Sequence, residues 1–270
     1  MLKCAIYSIG ASMIDFLFYI LAGASVGLAI GLTGVGGGSL MTPLLIFFGF
    51  PYSVAIGTDL LYAAITKAGG MLSHARQKTV EWRVVGFLAL GSIPASLLTA
   101  LLLNKIFTDS SQYESILTHS LGLMLVLTAI VIIFRGKLQR DKPIQPVGHS
   151  KSTDIIVLCA GLFLGIFVTL SSVGAGAFGA AVLMVLYPHL KAIKIVGTDI
   201  AHAVPLTLIA GLGHLFILGN VDFLLLFGLL IGSLPAIQLA TKVANRIPSN
   251  ILQTTIAIIL LGLGIKFVVF

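Results

Sequence analysis

Long apolar runs separated by short polar breaks occupy almost the whole of this chain. Two of the runs, 39–50 and 176–187, are only about 18 Å long as helix and cannot cross a membrane core unaided. The other eight reach the roughly 20 residues that a spanning helix needs. These are 14–32, 54–73, 84–103, 116–134, 153–171, 195–218, 221–241 and 250–270. The pattern predicts an all-α polytopic membrane protein.

Composition supports a membrane location. Of 270 residues, 58% are hydrophobic and 9% are charged, whereas a soluble protein has roughly 25% charged residues. The net charge is +7, but the basic residues lie in the breaks between apolar runs, which favours contact with membrane lipid and no nucleic acid. Cys4 and Cys159 lack the Cys/His spacing of a metal site. We therefore expect neither a metal nor a cofactor.

The two halves of the chain carry the same motifs in the same order. A basic, proline-containing break at 135–153 separates them. The prediction is a first transmembrane repeat at 1–134, a basic cytoplasmic linker at 135–153 and a second repeat at 154–270. A histidine follows each motif aspartate by fifteen residues. The matched segments are Ile-Gly-Thr-Asp-Leu 56–60 with Val-Gly-Thr-Asp-Ile 196–200, Val-Glu-Trp 80–82 with Val-Asp-Phe 221–223, and Gly-Ser-Ile-Pro-Ala 91–95 with Gly-Ser-Leu-Pro-Ala 232–236.

The distribution of Lys and Arg predicts how the two halves are oriented. If the halves were parallel, nine basic residues would lie on one side of the membrane and five on the other. If they are inverted, twelve share one side and two oppose them, which obeys the positive-inside rule far better. We therefore predict inverted repeats, each with about four long helices and one short segment. Whether 39–50 and 176–187 cross the membrane or form re-entrant hairpins stays open.

A glycine-rich tip lies before each short segment: Gly-Leu-Thr-Gly-Val-Gly-Gly-Gly-Ser at 31–39 and Thr-Leu-Ser-Ser-Val-Gly-Ala-Gly at 169–176. Each short helix would begin at its tip, where unpaired N–H groups and a partial positive charge suit a small oxyanion. The alternative is close helix packing, which we expect for the stripes Gly23/Gly27/Gly31 and Gly161/Gly165. The candidate anion contacts are Thr33, Gly34, Gly36, Gly37, Gly38, Ser39, Ser171, Ser172, Gly174 and Gly176.

Ionisable residues inside the apolar segments are the other candidates. Lys67 could offset the charge of an anionic substrate. Asp59 and Asp199 cost roughly 2.5–3.5 kcal/mol each at membrane depth, so they are candidates for proton or cation coupling. The alternative is a carboxylate that caps a helix near the interface. His202 could meet Asp199 on one helix face and titrate with it, or be a neutral, hydrogen-bonded core histidine.

These motifs resemble the TauE/SafE sulfite exporter family over essentially the whole chain. The resemblance rests on residues 31–45, both Gly-Thr-Asp segments and Ser-Val-Gly-Ala-Gly at 172–176. It implies a bacterial inner-membrane permease of about eight helices that exports small anions such as sulfite, organosulfonates or related organic acids. The second tip lacks a counterpart of Pro43, so the two tips are expected to contribute unequally.

The resulting prediction is a secondary transporter of a small anion, not an enzyme, with proton coupling and a homo-oligomer left open. Rocking of one repeat against the other would supply alternating access. A structural or assembly factor of a membrane complex is the first alternative. An intramembrane hydrolase is the second, although no nucleophile-in-glycine motif pairs with a suitable histidine. Substrate, coupling ion and direction are not fixed by the residues themselves.

Overall fold

The computed structural model describes residues 13–33, 38–106, 110–138, 151–243 and 249–269. Over these residues the chain forms helices and no strands, which confirms the all-α prediction. A π-helical turn, His214–Leu218, extends the eighth helix. The helices are α1 Met13–Thr33, α2 Gly38–Phe47, α3 Tyr52–Arg76, α4 Trp82–Ile106, α5 Ser110–Leu138, α6 Lys151–Ser171, α7 Ala177–Leu186, α8 Ala192–Gly213, α9 Phe223–Val243 and α10 Ser249–Val269.

The helix lengths follow the sequence pattern. In the described part of the chain, α2 and α7 have ten residues each, and the other helices have 21 or more. Six are long and apolar enough to span a membrane: α1, α4, α5, α6, α8 and α9. The sequence pattern suggested eight. Helix α3 is long but contains Asp59 and Lys67, and the apolar part described for α10 is short. The protein is a multi-pass membrane protein.

The predicted cytoplasmic linker is only partly covered by the structure. Helix α5 extends into it as far as Leu138, and α6 begins at Lys151. Residues 139–150 lie outside the described part. The division of the chain into two repeats and a linker therefore remains a prediction from the sequence.

Helices of one half pack mainly on helices of the other. The largest contacts join α1 to α9, α4 to α6, α5 to α10 and α3 to α8. In the repeat, α1 corresponds to α6 and α4 to α9, so the first two contacts are equivalent to each other. The remaining two each join a helix to its own counterpart. The packing therefore has an approximate two-fold pattern.

The glycine stripes bring two of these pairs into backbone contact. Gly23 lies against the backbone of Leu229, and Gly27 against that of Ser233. Residue numbers rise together along the two helices, so α1 and α9 run in the same direction. Gly161 packs on α4 in the equivalent way. The packing role predicted for the glycine stripes is confirmed.

The two pairs formed by repeat counterparts run in opposite directions. On α3, Gly57 lies against the chain at Asn220, beyond the end of α8, whereas Gly197 at the start of α8 lies against Thr79, beyond the end of α3. Helices α5 and α10 also cross antiparallel. Gly122 lies against Val268 and Gly264 lies against Val126, so residue numbers rise along one helix as they fall along the other. Corresponding helices of the two halves therefore point in opposite directions where they meet.

Polar and apolar side chains are distributed as a lipid environment requires. Large apolar side chains such as Leu90, Ile155 and Phe227 are exposed on the outer surface, where they would face acyl chains. Asp59 and His202 are among the polar residues buried inside the helix bundle. Buried polar groups at membrane depth are functional candidates, so the interior of the bundle is where the site is sought.

Candidate functional site

A cavity of about 260 Å³ lies between the two halves of the protein. Ile30 and Gly31, at the end of α1, form one part of its wall. Lys67 on α3 and Asp199 on α8 form another. The start of α7 completes the site with Gly176, Ala177, Ala180 and Ala181. The cavity thus brings together the beginning of the first tip, the end of the second tip and two ionisable residues.

Lys67 projects from α3 to the second tip. It is half-buried, and its Nζ donates a hydrogen bond of 2.6 Å to the carbonyl oxygen of Ala175. Both Asp59 and Asp199 are within its electrostatic range. The ion pairs formed by the described residues, Arg83–Asp154 and Lys194–Glu81, do not include it. Lys67 therefore presents its positive charge to the cavity.

The second tip needs its glycines for their backbone conformation. Gly174 has a φ of 117° and Gly176 a φ of 142°, which side chains strongly disfavour. Gly176 is the N-cap of α7. The N–H of Gly179 donates to the carbonyl oxygen of Gly174 at 3.1 Å, whereas the N–H groups of Ala177 and Phe178 come before this first bonded turn. Because Gly176 and Ala177 line the cavity, the positive end of the α7 dipole lies at its wall.

The two serines of the second tip are engaged within the protein. Ser171 donates to the carbonyl oxygen of Phe167 at 2.6 Å, and accepts from the amide of Val173 at 3.2 Å. It therefore closes the end of α6. Ser172 donates to Asp59 at 3.0 Å. Both hydroxyls bond to the chain here, because the tip folds back on α6 and α3. The contact with an anion that the sequence predicts for them stays a prediction.

Asp59 is fully buried in the interior of the helix bundle. Its Oδ2 accepts hydrogen bonds from Thr42 at 2.5 Å and from Ser172 at 3.0 Å. Its Oδ1 has no hydrogen-bond partner among the described residues. Sequence reasoning did not single out Thr42. The sequence feature that could have identified Thr42 is a hydroxyl residue inside a short apolar segment that follows a glycine-rich tip.

Asp199 lies on the cavity wall and touches the other short helix. A Cβ at Gly179 of α7 would overlap its Oδ1, so this position of α7 can only be glycine while Asp199 keeps its place. Each aspartate thus faces the short helix of its own half: Asp59 contacts α2 and Asp199 contacts α7. The Gly-Thr-Asp motif places its carboxylate next to that helix in both repeats.

The threonine of each Gly-Thr-Asp motif has a structural role. Thr58 Oγ1 accepts the backbone N–H of Asp222 at 3.1 Å, and Thr198 Oγ1 accepts that of Glu81 at 3.0 Å. Each threonine therefore binds the segment just before a helix of the opposite half. This pair of equivalent bonds explains why Gly-Thr-Asp and Val-Glu or Val-Asp occur together in each repeat.

His202 does not pair with Asp199, contrary to one of the two expectations. Its Nε2 shares a hydrogen bond of 2.8 Å with Ser92 Oγ, because this side of α8 packs on α4. Nδ1 has no partner among the described residues. Tyr62 occupies the equivalent place in the first half and approaches Ser233, but the two oxygens do not reach hydrogen-bond geometry. The serine of each Gly-Ser-x-Pro-Ala motif thus faces a buried polar residue of the other half.

The middle of the first tip, residues 34–37, lies beyond what the structure describes. Gly34, Gly36 and Gly37 are outside the described residues, and Thr33 and Gly38 are described only as helical backbone. Ser39 is buried at the start of α2. The predicted anion contacts of this tip remain predictions.

Comparison with known proteins agrees with the motifs. The family model described as "Sulfite exporter TauE/SafE" matches residues 19–267. The chain belongs to the TauE/SafE family. No solved structure matches it significantly. The resemblance inferred from the glycine tips and Gly-Thr-Asp segments is confirmed.

Curated relatives of this TauE/SafE chain are named as transporters. "Probable membrane transporter protein YjnA" of Bacillus subtilis is 40% identical over 92% of this chain and 98% of its own length. YdhB of the same organism is 29% identical over 85% and 91%. MJ0441 of Methanocaldococcus jannaschii is 27% identical over 91% and 92%. The chain is a membrane transporter of this family.

Proposed function

We propose that this TauE/SafE-family protein is a secondary transporter that exports a small anion, such as sulfite, an organosulfonate or a related organic acid. The observation that carries the proposal is the cavity in which Lys67 and the N-terminus of α7 share a wall. Both present positive charge to the same space, beside the carboxyl group of Asp199. An anion is the ligand that this arrangement stabilises.

The ammonium group of Lys67 is placed to interact with a ligand in the cavity. Its hydrogen-bond partner is the carbonyl of Ala175. The ion pairs found among the described residues do not include it, and the carboxylates of Asp59 and Asp199 lie within its electrostatic range. In a site of low dielectric, an anion at hydrogen-bond distance from the ammonium would gain more than it does in water. Gly174 and Gly176 shape the tip around this position. Thr33, Gly34, Gly36–Gly38 and Ser39 are proposed as the opposite part of the site, since Ile30 and Gly31 line the cavity just before them.

Alternating access is proposed to come from inverted repeats. The antiparallel crossings of α3 with α8 and of α5 with α10 support this arrangement, which is common in secondary transporters. The cavity lies toward the ends of α3 and α9 and the start of α8, where Gly70, Val196 and Thr241 line it. The basic breaks are at this end, so the positive-inside rule favours a cavity that faces the cytoplasm. We propose the bacterial inner membrane as the location of the protein, as the family resemblance implies.

Proton coupling is proposed to involve the buried ionisable residues Asp59, Asp199 and His202. Asp199 is the strongest candidate of the three because it lies on the cavity wall. A carboxylate there experiences the charge of Lys67 and therefore also that of a bound anion. Protonation of Asp199 and binding of the anion would then be linked.

Flux into or out of liposomes tests the proposal. Purified protein would be assayed with sulfite, sulfoacetate and lactate, with and without a pH gradient. We expect flux of at least one anion, and a roughly ten- to hundredfold loss of transport efficiency for Lys67→Met, because a charged hydrogen bond is removed. Asp199→Asn is expected to abolish the dependence on the pH gradient.

The matched control is Lys105→Met, which removes an exposed lysine near the end of α4 and should leave flux unchanged. Absence of flux for all three anions would contradict anion transport. Equal flux in Lys67→Met and Lys105→Met would contradict the assignment of the site.

A further inference from the structure

The two ends of the helix bundle are not equivalent. Residues of α3 and α8 that line the cavity have repeat counterparts 140 positions away in the sequence. All of these counterparts are at most 1% exposed, so the same space at the other end of the bundle is closed by packing. They are Ile56, Asp59, Leu60, Ala63, Leu206, Thr207 and Ala210. The two halves therefore have nearly the same topology, but the space beside α3 and α8 is open at one end of the bundle and filled by side chains at the other.

Three polar residues lie in this closed region and form what we call the tip clamp: Thr42, Asp59 and Ser172. Thr42 belongs to α2 and Ser172 to the second tip, and both hydroxyls donate to the same carboxylate oxygen, Asp59 Oδ2. All three residues are at most 2% exposed. Hydrogen bonds to a buried carboxylate are stronger than neutral ones. Through Asp59, the short helix of the first half is thus fastened to the tip of the second half.

The two hydroxyl residues of the tip clamp are not repeated in the sequence of the other half. The repeat places Ala180 where Thr42 would be and Gly34 where Ser172 would be, so neither equivalent position carries a hydroxyl. Asp199, the counterpart of Asp59, lies against Gly179 and lines the cavity instead. The clamp hydroxyls thus occur at the closed end of the bundle, and the equivalent sequence positions without hydroxyls belong to the repeat elements at the open end.

We propose that the two repeat-equivalent aspartates have different tasks: Asp59 is a positioning residue that holds one end of the transporter closed through Thr42 and Ser172, whereas Asp199 faces the ligand. Opening of the closed end requires the hydroxyls of α2 and of the second tip to separate from Asp59. The inference rests on the alternating access proposed above.

The clamp is connected to the ligand site through the second tip. Ser172 lies three residues before Ala175, whose carbonyl accepts the hydrogen bond from Lys67 on the cavity wall. Gly174 lies between them with a positive φ. A displacement of Lys67 toward a bound anion would therefore move the same short segment that carries the clamp hydroxyl. Through this contact, binding of the ligand at Lys67 would affect the closed end.

Thiol accessibility at both ends tests the proposal. Starting from a Cys4→Ser, Cys159→Ser background, Gly70→Cys reports on the cavity wall and Ala210→Cys on its buried counterpart. A membrane-impermeant maleimide would be applied to vesicles of each orientation. With the clamp intact, we expect Gly70→Cys to react from one face and Ala210→Cys to be protected.

Loss of the clamp should shift the two reporters in opposite directions. In Thr42→Val and in Ser172→Ala we expect the labelling rate of Ala210→Cys to rise roughly tenfold or more, and that of Gly70→Cys to fall. Thr42→Ser, which keeps the hydroxyl, should restore the original pattern. Thr128→Val is the matched control, because Thr128 is buried and its hydroxyl has no hydrogen-bond partner among the described residues.

A reciprocal shift is not expected from general loosening of the structure. Faster labelling at both reporters, or no change at either, would overturn the clamp. Labelling needs no substrate, so the two proposals fail separately. Reciprocal labelling without flux of any anion would overturn anion transport alone, and anion flux with unchanged labelling would overturn the clamp alone.

Discussion

Three adjacent residues of α3 serve three different contacts. The missing side chain of Gly57 lets the carbonyl of Asn220 approach the helix, Thr58 accepts the amide of Asp222, and Asp59 accepts two hydroxyls. The first two contacts join the halves of the protein, and the third belongs to the tip clamp. The Gly-Thr-Asp motif therefore combines packing and site chemistry within one turn of helix.

Gly57→Ala should destabilise the protein. A Cβ at Gly57 would overlap the Asn220 carbonyl oxygen, and backbone displacement of this kind costs typically about 1–3 kcal/mol. The control is Gly69→Ala on the same helix, where nothing lies within 4 Å of the added carbon. That change should be neutral, or stabilising by up to about 1 kcal/mol, since alanine favours helix. Thermal unfolding in detergent would compare them, and equal melting temperatures would contradict the proposed close contact.

At the scale of helices, glycine contacts decide which backbones meet and in which direction. Helices α1 and α9 pack side by side in the same direction, whereas α5 and α10 cross antiparallel at Gly122 and Gly264. Without a hydrophobic driving force between helices in lipid, such close backbone packing is a main source of association. Equivalent pairs in the two halves use the same kind of contact.

Oxidative cross-linking should detect the antiparallel crossing of α5 and α10. A Cβ at Gly264 would lie 2.8 Å from the Val126 side chain, so Val126→Cys combined with Gly264→Cys should form a disulfide under mild oxidation. Val126→Cys combined with Val268→Cys is the matched control, because residue 268 lies one turn away, beside Gly122. Disulfide formation needs Cα atoms within about 7 Å. A higher yield for the control pair, measured by gel mobility, would contradict the crossing.

At the scale of the whole molecule, the approximate two-fold pattern puts the basic breaks near one end. The Lys194–Glu81 ion pair, with an N–O distance of 2.5 Å, joins the first turn of α8 to the segment before α4. Inverted repeats would place these segments and the central linker together on the cytoplasmic side. The same arrangement would leave the α4–α5 connection on the opposite side.

Topology reporters give a direct measurement of this orientation. Fusions or single-cysteine labels at residues 146 and 191 should report the cytoplasm, and one at residue 110 the outside, because basic segments stay on the cytoplasmic side. The reporter at residue 191 decides between the alternatives. An outside signal there would mean parallel repeats and would remove the proposed basis of alternating access.

The sequence by itself determined the membrane class, the helices, the internal repeat and the family. These features depend on signals carried by single segments: hydropathy sets which helices enter a membrane, and glycine spacing sets which faces can pack closely. Gly23 and Gly27 could be assigned to helix packing in this way. Lys67, Asp59 and Asp199 could be selected because ionisable residues at membrane depth are rare.

The tertiary structure alone decided which of these residues meet. Helical periodicity indicates the side of a helix that a residue occupies, but the partner on that side comes from a helix distant in sequence. Thus His202 bonds to Ser92 rather than Asp199, and Lys67 bonds to Ala175. The environments of Asp59 and Asp199 arise in the same way: Asp59 accepts hydrogen bonds from two hydroxyl groups on separate elements of the fold, whereas Asp199 lies against Gly179 on the cavity wall.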